Sequence, residues 1–174
     1  MGFVESKNDN TYKLGLSWVK DGNPKFEVFE WGRFQTPVKE VVGISWFYRG
    51  VELKTFTYER DGKEKTGDNV NIYLEEDGYT FIVQSGWNML MRGLVNSLTN
   101  VSLGSKITIN LWSNKKGYSN AYLKNKDGDL VGWNLDRETQ KSYIKEVTFK
   151  GETMNDYTAL EKKLLDMITP YQPW

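Results

Sequence analysis

The sequence predicts a mainly-β fold built around a small five-stranded barrel, with one helix between the third and fourth strands. Short segments of alternating apolar and polar residues recur between residues 39 and 135, separated by turn signals such as Asp77-Gly78 and Asp127-Gly128. A single stretch, Trp87 to Leu98, has apolar residues at helical spacing instead. The first strand is long and interrupted at Gly50, where a bulge or bend would turn a barrel corner.

The chain before the barrel, residues 1–38, is predicted to be a β extension. Tyr12 to Trp31 reads as a hairpin-like pair around the turn signal Asp21-Gly22-Asn23-Pro24. The long first strand then runs from Val41 to Tyr58. Alternation places Trp46 and Tyr48 in the core and Phe47 and Arg49 on the outside. The charged stretch from Arg60 to Asn69 is predicted to be a loop.

The remaining barrel elements follow in order. Val70–Leu74 and Tyr79–Val83 form a predicted antiparallel hairpin. The helix comes next, with Ser85 as its expected N-cap. Ile107–Leu111 and Tyr118–Lys124 are the last two strands, joined by a polar and basic loop. This order of elements is that of an OB fold, in which the helix plugs one end of the barrel.

Residues 136–174 are expected to add a short strand and a helix to a single domain whose barrel core spans residues 39–135. The strand is placed at Tyr143–Phe149, and the helix begins near Asn155 or Asp156, either of which could cap it.

The amino-acid composition argues against several kinds of catalytic function. The chain has no cysteine and no histidine, which removes thiol chemistry, the commonest general base and the commonest transition-metal ligand. The usual catalytic motifs are also absent from the sequence. We therefore expect a binding protein rather than an enzyme, without cofactor or metal. Lys+Arg and Asp+Glu are both 23, so the net charge of zero does not itself indicate a polyanionic ligand.

Aromatic and basic residues share the predicted outer surface. Bases stack on exposed rings, and Lys and Arg contact phosphates, so this mixture is typical of single-stranded nucleic-acid binding. Each ring could instead pack in the core, and the basic loop could be a solvated turn. The candidate binding residues are Phe47, Arg49, Lys54, Tyr73, Trp112, Lys115, Lys116, Tyr118, Tyr122 and Lys124.

Several segments resemble OB-fold single-stranded-DNA-binding proteins of bacteriophages. They are Asp68–Leu74, Tyr79–Val83, the helix Trp87–Leu98, Gly104–Leu111 and the opening Glu5-Ser6-Lys7-Asn8-Asp9. The resemblance implies coating of single strands during replication, recombination or repair, with replication or recombination proteins as partners. Self-association stays open. Family members often end in an acidic tail, whereas Asp166 is the sole acid from Leu164 to Trp174.

The N-terminus lacks a secretion signal and no apolar run is long enough to cross a bilayer, so we expect a cytoplasmic location, in the host cell if the protein is phage-encoded. Two other functions fit the same aromatic residues. A carbohydrate-binding β module would use surface Trp and Tyr without needing the cations. A phage structural or assembly protein would bury the rings between subunits.

Overall fold

The computed structural model describes the backbone of residues 11–17, 25–30, 39–41, 43–76, 78–113 and 119–171. It describes the side chains of residues 43–76, 78–111 and 121–171. The predicted turn at Asp21-Gly22-Asn23-Pro24 lies outside these ranges.

The elements alternate between long runs of strands and short helices. Along the chain they are β1 (Thr11–Ser17), β2 (Lys25–Glu30), β3 (Lys39–Val41), β4 (Gly43–Arg60), β5 (Lys63–Glu76), β6 (Tyr79–Ser85), α1 (Met89–Leu98), β7 (Lys106–Ser113), β8 (Ser119–Lys124), α2 (Arg137–Ser142), β9 (Lys145–Phe149), β10 (Glu152–Asp156) and α3 (Thr158–Met167).

Eight of these strands form one sheet in the order β3-β2-β1-β6-β5-β4-β7-β8. The last five, from β6 to β8, pair antiparallel throughout, which confirms a mainly-β fold with a five-stranded antiparallel sheet. The predicted closed barrel is wrong. The outer edge of β6 pairs in parallel with β1, so this edge is not available to a strand that would close the sheet.

One face of the sheet packs against α1 and α3 in a single apolar cluster. Alternation along the strands sends every second side chain into this cluster. The helix α1 begins at Asn88, whose Oδ1 accepts a hydrogen bond from the Met91 amide at 2.7 Å. The predicted N-cap, Ser85, is wrong: its Oγ accepts a hydrogen bond from Asn88 Nδ2 at 2.9 Å instead.

The 18-residue strand β4 is divided by a bulge. Its register with β5 shifts between Tyr48 and Gly50, and Gly50 has φ +113°, which confirms the predicted irregularity at this glycine. The predicted loop from Arg60 to Asn69 is wrong. Beyond the bulge β4 and β5 continue as a two-stranded ribbon to a tight turn at Asp61-Gly62, where both residues have positive φ, as a type I′ hairpin turn requires.

The C-terminal region contains a helix and a strand, α2 and β10, in addition to the predicted strand and helix. The strand β9 pairs with β10 around the Lys150-Gly151 turn to form a separate exposed hairpin, and α2 precedes it. At the start of α3, Asp156 Oδ1 accepts hydrogen bonds from the Thr158 amide at 3.0 Å and its hydroxyl at 2.6 Å. Asp156 thus satisfies one of the donors that a helix start leaves unpaired.

Two asparagines, Asn96 in α1 and Asn100 just beyond its C-terminal end, attach the loop that follows β8. Asn96 is only 1% exposed, and its side chain donates to the Leu135 carbonyl and accepts from the Leu135 amide, both at 2.9 Å. Asn100 is exposed and donates to the Gly132 carbonyl at 3.0 Å. Within the described ranges, no helix is both long and apolar enough to traverse a bilayer.

We predict that Asn96→Ala lowers the free energy of unfolding by about 2–3 kcal/mol, because it leaves the buried Leu135 amide unpaired and removes one of two hydrogen bonds to the Leu135 carbonyl, the other coming from Gln140 Nε2 at 2.9 Å. Asn100→Ala, just beyond the end of the same helix and bonded to the same loop, is the matched control and should cost less than about 1 kcal/mol because water can replace its exposed bond. Urea denaturation monitored by tryptophan fluorescence measures both. Equal losses would contradict the assigned role of Asn96.

Candidate nucleic-acid interface

The sheet face opposite α1, here called the outer face, presents rings and cations. The strand register places Phe47 beside Glu75 on β5 and Lys106 on β7. On β8, Tyr122 and Lys124 share the same side, opposite Asn110 and Thr108. Lys106 Nζ lies 5.6 Å from the centre of the Phe47 ring, and Lys124 Nζ lies 5.5 Å from that of Tyr122. The predicted residues Phe47, Tyr122 and Lys124 therefore lie on one face.

Acidic side chains balance the cations in the middle of the outer face. Arg49, on the bulge, has its Nε 3.5 Å from Glu75 Oε2. Lys106 Nζ lies 3.3 Å from Glu76 Oε1. A phosphate would have to compete with these carboxylates for either cation. This part of the face is thus better suited to stacking than to charge attraction.

Tyr73 lies on the outer face, as predicted, but it is not open to solvent. Its ring is 5% exposed and stacks on Tyr171, with ring centres 3.6 Å apart and planes at 8°. Its hydroxyl donates to Glu52 Oε2 at 2.7 Å. Burial, together with this bond to Glu52, raises the pKa of Tyr73 well above its ordinary value. The expectation of an exposed platform at Tyr73 is therefore wrong, because the C-terminal segment covers the ring.

The ribbon, residues 53–70, separates its charges by face. Directly paired residues lie on the same side of a two-stranded ribbon, and sides alternate along each strand. The pairs Lys54/Asn69, Phe56/Gly67, Tyr58/Lys65 and Arg60/Lys63 therefore share one side, the basic–aromatic face. It has four cations, two rings and no acid. All four cations are exposed, and no described residue forms an ion pair with them.

The other side of the ribbon is acidic. Its pairs are Thr55/Asp68, Thr57/Thr66 and Glu59/Glu64. This acidic face has three carboxylates and no cation, and the Thr55 hydroxyl donates to Asp68 Oδ1 at 2.8 Å across the strands. The ribbon is close to neutral as a whole, yet it is strongly polarised from one side to the other.

The two rings of the basic–aromatic face are exposed and lie near each other. Phe56 and Tyr58 are 43% and 40% exposed, and their ring centres are 5.8 Å apart. Phe56 lies across the strand over Gly67, where a Cβ would come within 2.6 Å of Phe56 Cζ. The missing side chain at Gly67 thus makes room for the ring. A ring held flat on the backbone presents its other face outward for stacking.

An open cleft of about 590 Å³ lies beside Phe47, where the chain leaving α1 meets the turn after β8. Its lining includes Ser105, Lys106, Asn125 and Lys126. This volume is in the range of small-ligand sites, and its polar lining could accept a nucleotide group. No cluster of acidic side chains able to hold a metal ion occurs in the described part of the chain.

The structure brings some of the predicted residues together and leaves others untested. Lys54 lies on the basic–aromatic face, and Arg49 lies on the bulge between the ribbon and the outer face. The side chains of Trp112, Lys115, Lys116 and Tyr118 lie outside the described residues.

Phe56, Tyr58, Arg60, Lys63 and Lys65 were not among the predicted candidate residues. Arg60, Lys63 and Lys65 lie in the stretch that was predicted to be a loop, whereas Phe56 and Tyr58 lie at the end of the predicted first strand. The signal was present: rings and cations alternate with acids and threonines on both sides of an Asp-Gly pair, which is a hairpin signature.

Comparisons of this chain with protein-family models, with curated proteins and with solved structures found no match. The geometry of the ribbon and the outer face is therefore the evidence that bears on function.

Proposed function

We propose that this protein binds single-stranded DNA with little sequence preference and acts as a non-enzymatic cover for exposed strands. The observation behind the proposal is the sorting of the ribbon charges, which leaves Lys54, Arg60, Lys63 and Lys65 on one side with two exposed rings. A polyanion with flat bases is the ligand class that uses both features at once.

The chemistry of the face supports this ligand. Same-side residues along a strand are about 6.6 Å apart, so Lys54, Phe56, Tyr58 and Arg60 form a row of two cations flanking two rings. Phosphates neutralised by the cations release counterions, and bases stacked on the rings contribute about 1–3 kcal/mol each. Stacking requires unpaired bases and tolerates any sequence. A neutral sugar would stack on the rings but gain nothing from the cations.

The strand order also supports an OB-fold assignment. In an OB barrel the first strand lies between the second and the fourth, the third follows the second, and the fifth follows the fourth. The strands β4 to β8 have these neighbours, and the OB barrel is often partly open. In this assignment the ribbon is the connection between the first two strands, a region that OB folds use for oligonucleotides. The resemblance to phage single-stranded-DNA-binding proteins supports the same function.

The biological role in this proposal is protection of single strands in phage-type replication, recombination or repair, with proteins of those processes as partners. Such a protein protects a strand simply by remaining bound to it. Its affinity for the strand and the number of nucleotides that it covers therefore determine how well it protects.

We predict that Phe56→Ala combined with Tyr58→Ala weakens binding of a fluorescent oligo-dT at least tenfold, because two stacking surfaces are lost. Leu53→Ala combined with Thr57→Ala removes side chains from the opposite side of the ribbon and is the matched control. Fluorescence anisotropy at low salt measures affinity, and thermal melting checks that both variants fold. Equal weakening by the two variants would mean that the rings have no special role.

We also predict that Lys63→Gln with Lys65→Gln makes the negative slope of log K against log salt shallower by about 1.4, as expected for two lost phosphate contacts to a single strand. The control, Glu59→Gln with Glu64→Gln, changes two charges in the same ribbon on its acidic face. It should leave the slope unchanged. If both variants shift binding equally and oppositely, net charge rather than contact would explain the affinity.

The choice of nucleic acid gives a further check on the proposal. A two-stranded ribbon can also enter the major groove of duplex DNA. Preference for a duplex of equal length over oligo-dT would contradict the single-strand proposal, as would the absence of a shift with either ligand at low salt.

A further inference from the structure

The described part of the C-terminal segment, up to Tyr171, crosses the sheet at the bulge and places Tyr171 on the outer face. After Ile168, which is buried in the core, the segment pairs with the edge of β4. The Val51 amide donates to the Thr169 carbonyl, and the Tyr171 amide donates to the Val51 carbonyl, both at 3.1 Å. Gly50 permits this approach, because a Cβ there would lie 2.8 Å from Tyr171 Cα. These contacts place the Tyr171 ring on the Tyr73 ring.

The contact between the two rings is close but not the most favourable one. Aromatic pairs prefer offset or edge-to-face arrangements, because face-to-face rings oppose their quadrupoles. Tyr73 and Tyr171 are nearly parallel, with centres only 3.6 Å apart. Two backbone hydrogen bonds to Val51 in the described part of the chain also hold the segment. A ligand ring in an offset or edge-to-face arrangement would stack on Tyr73 more favourably than Tyr171 does.

The Tyr73 ring would keep its position if Tyr171 left. Its hydroxyl bond to Glu52 connects adjacent strands of the sheet and does not involve the C-terminal segment. Tyr73 faces the same side of the sheet as the basic–aromatic face, near the foot of the ribbon. A strand of DNA lying along that face would reach it.

Resting on the proposed function, we propose that Tyr73 is a base-stacking subsite and that Tyr171 occupies it in place of a base until single-stranded DNA displaces the C-terminal segment. The protein thus exists in two forms: a covered form, in which Tyr171 stacks on Tyr73, and an uncovered form, in which it does not. Only the uncovered form can stack a base on Tyr73. Apparent affinity is reduced by the fraction of molecules in the covered form.

The test compares Tyr171→Ala with Tyr171→Phe in oligo-dT titrations by fluorescence anisotropy. Tyr171→Ala removes the competing ring and should tighten binding about tenfold if one molecule in ten is uncovered. Tyr171→Phe keeps the stack and the backbone bonds, so its affinity should match that of the unmodified protein. Equal or weaker binding by Tyr171→Ala, with binding by the unmodified protein intact, would overturn this inference and leave the proposed function standing. If none of the three proteins binds, both proposals fall.

Hydrogen exchange in the unmodified protein gives a second readout that does not depend on a variant. The Tyr171 and Val51 amides should be protected without DNA and should lose protection when saturating oligo-dT is added. A core amide such as that of Ile72, which lies in the middle of the sheet, should not change. If bound DNA leaves the Tyr171 amide as protected as before, the segment is not displaced and the inference is wrong.

Discussion

The bulge at Gly50 is the constraint on which the rest of the structure depends. Before it, β4 is flanked by β5 and β7 and contributes to the core. After it, β4 leaves β7 and continues with β5 as an exposed ribbon, while the vacated edge accepts the C-terminal segment. A positive φ and the lack of a Cβ are both required there, and only glycine supplies both without strain. One residue therefore positions the ribbon and the cover over Tyr73.

The distribution of charge explains how a neutral chain could bind a polyanion. Beyond a Debye length of about 8 Å, the acidic and basic faces of the ribbon largely cancel, so long-range steering is weak. At contact distance a ligand meets four cations and no acid on one side. The acidic face meanwhile discourages a phosphate backbone from the wrong side. The ribbon thus selects the side of approach through repulsion as well as attraction.

Sequence patterns predicted the mainly-β class, the irregularity at Gly50 and the outward placement of Phe47, Tyr122 and Lys124. These features follow from local properties of the chain, namely the alternation of side chains along a strand and the backbone freedom of glycine. The pairing of strands that are distant in sequence could not be predicted in this way. No local signal shows that β1 takes the edge of β6 and leaves the sheet open. The ribbon was missed because its charged strands have no apolar side, and the burial of Tyr73 depends on a residue almost one hundred positions away.

The stacking of Tyr171 on Tyr73 affects both the solubility of the protein and its affinity for DNA in the proposed function. A permanently exposed row of rings favours self-association, since large apolar patches attract one another. Covering the innermost ring removes part of that surface from solvent, while Phe56 and Tyr58 stay exposed among cations that repel the same face of a second copy. The outermost rings can then make the first contact with a strand, and Tyr73 becomes available only when a bound base can replace Tyr171. On this argument the cover lowers affinity for short ligands more than for strands long enough to reach both places.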